Sequence, residues 1–226
     1  MSTPEQLWRP DDASARRDYW ENVHDGTDVD GVSWWQSVPG LSLGLVDATG
    51  VQPAEPVIDV GAGWSTLADH LLERGHTDVT AIDLSKTALD TVRERVGERG
   101  RHLTLQVADV LDFHPGRQYS MWHDRAVFHF LTEQDERDEY RASLTRCLRP
   151  GGWLVIATFG PDGPETCSGL PIVRYTHDEL AAEFPEFTLT ATAGEDHKTP
   201  WGTNQQFTAV LLSAPNGTAD APTLQR

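Results

Sequence analysis

Apolar and polar positions follow two alternating rhythms along this chain. Pro56–Val60 (PVIDV) is a short apolar run closed by Gly61, the pattern of a buried strand. Ser65–Arg74 (STLADHLLER) then sets Leu67, Leu71 and Leu72 at helical spacing, with Ser65 as a cap and Gly75 as a stop. Asp78–Ile82 predicts a second strand, and Ser85–Val96 a second helix ended by Gly97. Leu103–Val107 reads as a third strand and Tyr119–Trp122 as a shorter fourth. A polar helix over Glu133–Leu148 runs into Arg149-Pro150-Gly151-Gly152, where proline cannot continue it and glycine permits a sharp reversal. Trp153–Phe159 (WLVIATF) carries the strongest strand pattern. Thr176–Glu183 predicts a helix capped by Thr176, and Phe187–Ala193 and Gln206–Leu212 predict two closing strands.

Strands alternating with helices imply an α/β fold, a mostly parallel seven-stranded sheet between two helical layers. The last two strands have no helix between them, so they should form an antiparallel hairpin at one edge. Residues 56–213 are expected to hold this core, after an N-terminal helical and aromatic segment over 1–55. The small, polar stretch 214–226 is expected to be a disordered tail.

Composition narrows the setting. A length of 226 residues suits one core, and 38% hydrophobic with 23% charged residues is ordinary for a globular protein. No apolar run approaches the roughly 20 residues that span a bilayer. The first twenty residues lack the apolar segment of a secretory signal. Cys147 and Cys167 are isolated, with neither metal-ligand spacing nor a disulfide framework, and a reducing cytoplasm is the expected location. Eighteen basic residues against 35 acidic ones give a formal charge of −17, which disfavours phosphate backbones as partners and favours cationic or neutral ligands, or serves solubility alone.

The segment VIDVGAGWSTLADHLLERG places Gly61 and Gly63 between a strand and a helix, where a backbone can turn tightly and admit a ligand closely. Asp83 ends the second strand, where a carboxylate can take both hydroxyls of a ribose, and Asp109 follows the third, near the place of an adenine. A dinucleotide would want a third small residue where Thr66 stands, and an uncluttered helix terminus where bulky Trp64 and acidic Asp59 lie close. S-adenosylmethionine (SAM) has no phosphate and carries two cationic centres, so these acids favour it. Asp59 could instead hold loop amides, Asp83 cap the helix at Ser85, and Asp109 serve only a turn.

These segments resemble the class I SAM-dependent methyltransferases. VIDVGAG is similar to the family's first motif, VTAIDLS and VADVLDF to the acidic motifs after it, and LRPGGWLVIATF to its fifth-strand turn. The resemblance implies a Rossmann-like α/β/α sandwich. It also implies Asp59, Gly61 and Gly63 at the methionine end of the cofactor, Asp83 and Leu84 at the ribose, and Asp109 with Val110 at the adenine. A narrower resemblance joins MWHDRAVFHFL, FGPDGPETCSGLPIVRY and DYWENVHDGTDVDGVSWWQ to the thiopurine, thiol and halide methyltransferases. His123 between Trp122 and Asp124, and Ala126 where that group often has glycine, depart from its pattern.

Methyl transfer from a sulfonium needs positioning and exclusion of water more than covalent help. Trp20, Trp34 and Trp35 could form an aromatic lid, with Trp35 and Gln36 nearest the methionine end, or they could pack as a satellite cluster on the sheet edge. After the fourth strand, His123 is a candidate base or cofactor contact, and Asp124 a candidate to orient or replace it. Arg125 could hold an anionic group or pair with Asp124. His129 is a further candidate to meet the acceptor, the narrower resemblance implies the same for Arg174 and Tyr175 beyond the fifth strand, and His197 and Trp201 could be outer contributors. A thiol, selenol or halide acceptor is expected on the narrower resemblance. A small-molecule N- or O-methyltransferase, a catalytically silent SAM-binding module and an NAD-dependent oxidoreductase are the rival readings.

Overall fold

A computed structural model describes residues 12–26 and 31–216 of the chain. Helix α1 (Ala13–Asp25) starts where the Asp12 carboxylate accepts from the Ala15 amide at 2.8 Å, and α2 (Gly40–Thr49) ends at Gly50 in the left-handed conformation. Then come β1 (Val57–Val60), α3 (Leu67–Glu73), β2 (Val79–Asp83), α4 (Lys86–Val96) and β3 (Leu103–Val107). The second half holds β4 (Tyr119–Arg125), α5 (Gln134–Cys147), β5 (Leu148–Phe159), the short strands β6 (Thr166–Cys167) and β7 (Leu170–Pro171), α6 (His177–Ala182), β8 (Thr188–Lys198) and β9 (Asn204–Ser213).

Seven strands form one sheet in the order β3-β2-β1-β4-β5-β9-β8. The first five are parallel, and β9 runs antiparallel to both neighbours. This is the mostly parallel sheet the alternation predicts and the Rossmann-like arrangement the resemblance implies, with the β8–β9 hairpin at the edge. On one face, Leu43 and Val46 of α2 and Leu67 and Leu71 of α3 pack on Val57, Met121 and Val155. On the other, Tyr140 and Leu144 of α5 and Leu180 of α6 pack on Ile58, Trp122 and Ile156. Burying such side chains is worth about 1.5–3 kcal/mol each relative to exposure, so both layers are tied to the sheet by their apolar faces.

The structure departs from the sequence reading in several places, one being that β5 starts at Leu148 and takes in the expected reversal at Arg149-Pro150-Gly151-Gly152. The fourth strand runs on to Arg125, so His123, Asp124 and Arg125 belong to β4 rather than follow it. Helix α2 has leucine and valine on several sides and no polar cap, which hid its period. The β6–β7 ribbon, two residues a side, is too short to show an alternation. Residues 214–216 of the expected tail are tied to the first part of β5, through Ala214 N–H to Gly152 O at 2.8 Å and Gly151 N–H to Pro215 O at 3.1 Å. The remainder of that tail lies outside the described residues. Among these, no helix is long and apolar enough to cross a membrane.

Candidate active site

The carboxyl ends of the parallel strands open into a cavity of about 140 Å³. One wall is the turn after β1 with the acids after β2 and β3. Gly61 (φ 60°) and Gly63 (φ 47°) occupy the left-handed region, and a Cβ at Gly61 would sit 2.0 Å from Val127 Cγ2. Asp83 is buried beside them. Its Oδ2 accepts from Gly63 N–H and its Oδ1 from Ser85 N–H, both at 2.8 Å. Burial raises its pKa, while nearby His24 and these two amides pull it back. Asp109 accepts from Leu111 N–H at 3.0 Å and from Arg16 Nη2 at 2.9 Å, the latter an ion pair reaching back to α1. Leu84 and Val110 complete this wall.

The facing wall is aromatic, apart from one guanidinium. Trp20 of α1 meets Phe130 edge-on at 5.1 Å and Trp34 at 6.4 Å, and Phe159, Cys167 and Phe207 line the floor. Helix α1 lies across the mouth, held by Arg16 on Asp109, by Glu21 accepting from the Thr87 hydroxyl at 2.7 Å, and by the Tyr19 hydroxyl on the Ser168 carbonyl. The Arg125 guanidinium lies 4.1 Å from the Phe207 ring centre and donates from Nη1 to Trp34 O at 3.2 Å. Burial pushes its pKa down to about 10, so it stays charged at neutral pH. Cys167 is a neutral thiol, pushed up to about 12 by burial. Ala126, at φ 72°, bears a strained turn straight after β4.

A second hollow of about 50 Å³ adjoins the first through Trp34, Gly61, Gly63 and Arg125, and Trp35, Gln36, Asp59 and His123 line it. His123 is held at both ring nitrogens: Nδ1–H donates to Asp59 Oδ1 at 2.6 Å, and Nε2 takes the Ser42 hydroxyl at 2.8 Å. Asp59 Oδ2 is buried and has no hydrogen-bond partner among the described residues.

The other sequence candidates lie elsewhere. Strand alternation turns Asp124 to the opposite face of the sheet from His123 and Arg125. There it accepts from Val127 N–H (2.9 Å), Phe128 N–H (3.2 Å) and the Tyr140 hydroxyl (2.7 Å), and burial raises its pKa to about 6. It therefore neither orients His123, whose partner is Asp59, nor pairs with Arg125, whose nearest carboxylate is Glu195 at 3.8 Å. His129 is buried behind the wall against Phe130 and Phe159, and burial together with the Arg125 charge pushes its pKa down to about 3. Arg174 points outward and donates to Pro161 O (2.9 Å) and Gly163 O (3.1 Å), holding a loop. Tyr175 packs on Phe128 in the α5 layer. His197 braces the segment before α2 through Ser33 O at 2.8 Å, and Trp201 is exposed.

Sequence reasoning passed over Arg16, His24, Glu195 and Phe207. Arg16 and His24 each lie four residues from Trp20, one on either side, the spacing of one helical face, so an α1 drawn from that tryptophan would have presented all three. Glu195 and Phe207 face each other across the β8–β9 pair, and no local pattern announces that they meet Arg125.

Comparison with known proteins finds methyltransferases, by sequence and by fold. Residues 57–152 match the family model for a methyltransferase domain. The chain is 28% identical over 149 residues to the mouse eEF1A lysine and N-terminal methyltransferase, covering 62% of this chain but only 21% of that protein. It is 33% identical over 159 residues to the demethylmenaquinone methyltransferase of Renibacterium salmoninarum, covering 68% of this chain and 63% of the relative. The fold superposes on Burkholderia thailandensis 1,6-didemethyltoxoflavin-N1-methyltransferase, solved with 1,6-didemethyltoxoflavin and S-adenosylhomocysteine, with a TM-score of 0.72. Identity there is 24%, with 95% of this chain and 94% of that one covered.

Proposed function

We propose that this chain, whose residues 57–152 carry a methyltransferase domain, transfers a methyl group from SAM to a small-molecule acceptor. One observation carries the reading: two carboxylates at successive strand ends, Asp83 and Asp109, face a glycine turn that tolerates no side chain, and a third acid, Asp59, keeps a buried oxygen free beside it. Carboxylates so placed suit ribose hydroxyls, an adenine amine and an ammonium, and they repel the pyrophosphate of a dinucleotide. Bound SAM would supply a methyl group already activated on a sulfonium. Asp83 would hold the ribose, Asp109 and Val110 the adenine side, and Asp59 with Gly61 and Gly63 the methionine end. Helix α1 and its Trp20 would close the mouth and exclude water.

The acceptor half supports the narrower choice of substrate. Among the described residues lining the aromatic wall, the titratable groups are Arg125 and Cys167, and neither is a base at neutral pH. His24 stands over Gly63 and Asp83, on the cofactor side, and His123 is fully engaged by Asp59 and Ser42. An acceptor that needs no proton removed by the protein fits such a wall: a thiol or selenol ionised near neutral pH, or a halide. The mouse relative, by its name, acts on lysine and N-terminal groups of eEF1A. A cavity roofed by α1 gives such a protein segment poor access.

The test has two parts. A thermal-shift comparison should show stabilisation by SAM and by S-adenosylhomocysteine but not by NAD. Release of S-adenosylhomocysteine from SAM should then be stimulated by small thiols or halides and not by eEF1A or its N-terminal peptide. Stimulation by the protein alone would replace the small-molecule reading, and stabilisation by NAD alone would replace the cofactor.

A further inference from the structure

We propose that the Nε/Nη2 edge of Arg125 is a carboxylate-recognition site, and that it gives the cavity its preference for an anionic ligand. The inference rests on the methyltransferase reading for its setting but on the guanidinium itself for its content. Of the donors Arg125 carries, Nη1 is spent on Trp34 O at 3.2 Å and one face of the group lies on Phe207 at 4.1 Å. Nε and Nη2 are buried and have no hydrogen-bond partner among the described residues. These two nitrogens share one side of the planar group, the fork that matches both oxygens of a carboxylate at once. Buried charged donors left without an acceptor are costly, so a fork left open here is a site in need of an anion.

The neighbouring Glu195 does not close it. Its Oε2 stands 3.8 Å from Nη2, beyond hydrogen-bond distance, and is itself unpartnered, while its Oε1 accepts from Gln36 Nε2 at 2.7 Å. Glu195 thus offsets part of the charge and is held away by Gln36. Trp20, Phe159 and Phe207 line the same cavity as Arg125, so the ligand best matched to it is a flat or apolar body bearing a carboxylate. Arg125 borders both hollows, so this carboxylate can come from the acceptor in the larger one or from the amino-acid end of the cofactor in the smaller one.

Two binding comparisons separate the sources, on wild type, Arg125→Gln, Arg125→Lys and Glu195→Gln, each checked for a cooperative thermal transition. The first compares benzoate with its neutral isostere benzamide, by ligand-detected NMR, with and without S-adenosylhomocysteine. The second compares S-adenosylhomocysteine with 5′-methylthioadenosine, which lacks the amino-acid end, by calorimetry. For an acceptor carboxylate, wild type should prefer benzoate by about tenfold or more, Arg125→Gln should abolish that preference, and Arg125→Lys should keep part of it. Glu195→Gln should sharpen it, because the competing carboxylate is gone. For a cofactor carboxylate, Arg125→Gln should weaken S-adenosylhomocysteine by about tenfold or more and leave 5′-methylthioadenosine unchanged. No preference for benzoate in wild type together with an unchanged ratio of the two nucleosides would overturn the proposal and assign the fork to Glu195. The benzoate comparison without nucleoside stands whether or not the cofactor assignment does.

Discussion

The wall of Gly61, Gly63, Asp83 and Asp109 comes from three neighbouring strand ends, and the amides that hold its acids belong to these same neighbouring loops, Gly63 and Ser85 for Asp83 and Leu111 for Asp109. The facing wall takes Trp20 from α1, Arg125 from β4, Cys167 from β6 and Phe207 from β9, segments scattered over most of the chain. In the first wall both oxygens of Asp83 already hold loop amides, and Asp109 holds the Leu111 amide and Arg16 of α1. The second is left unsatisfied, with two free donors on Arg125 and a strained Ala126 beside it. Preorganised local geometry suits a ligand that does not vary, and an assembled, under-satisfied surface suits selection among ligands.

If that contrast holds, changes to the first wall should cost nucleoside binding most. Gly61→Ala puts a Cβ at 2.0 Å from Val127 in a left-handed backbone, and should lose about 2–4 kcal/mol of stability by urea unfolding together with measurable S-adenosylhomocysteine binding. Asp83→Asn should keep the fold and weaken S-adenosylhomocysteine by about 10- to 100-fold in calorimetry. Asp124→Asn sharpens the comparison from behind the sheet. It should cost about 1–3 kcal/mol by leaving the amides and the Tyr140 hydroxyl poorly met, while nucleoside affinity stays nearly constant. Its pH dependence has a definite sign. The Asp124 pKa is raised from 3.8 to about 6, so the contribution of its protonated form is full below about pH 4 and lost as the pH rises to about 6. The stability gap between wild type and Asp124→Asn should therefore narrow over that interval. The smallest effect is expected from Trp20→Ala, about three- to tenfold in nucleoside affinity with little change in melting temperature, since α1 lies outside the sheet core. A loss equal to that of Asp83→Asn would erase the distinction between the walls.

The same contrast explains what could be read from the chain. The turn after β1 and Asp83 were legible because strand, glycine and helix follow one another within a few residues, whereas Ser85, whose hydroxyl takes the Ala88 amide at 3.1 Å as the cap of α4, was read only as the start of a helix. The placement of Asp124 was hidden by one boundary. With β4 ended at Trp122, His123, Asp124 and Arg125 look like a cluster, whereas a strand through Arg125 splits them between two faces. Arg174 and Tyr175 were drawn to the acceptor by resemblance, and their side chains serve a loop and the α5 layer instead. Arg125 was recognisable as a charge, but its open fork depends on Trp34, Glu195 and Phe207, contacts that only the folded sheet makes.

The most direct test of the account is calorimetry of the purified chain with S-adenosylhomocysteine at neutral pH. One site with micromolar affinity, lost in Gly61→Ala and weakened in Asp83→Asn, is the predicted result. A folded protein that shows no heat of binding up to millimolar nucleoside would contradict the assignment of the acidic wall to SAM.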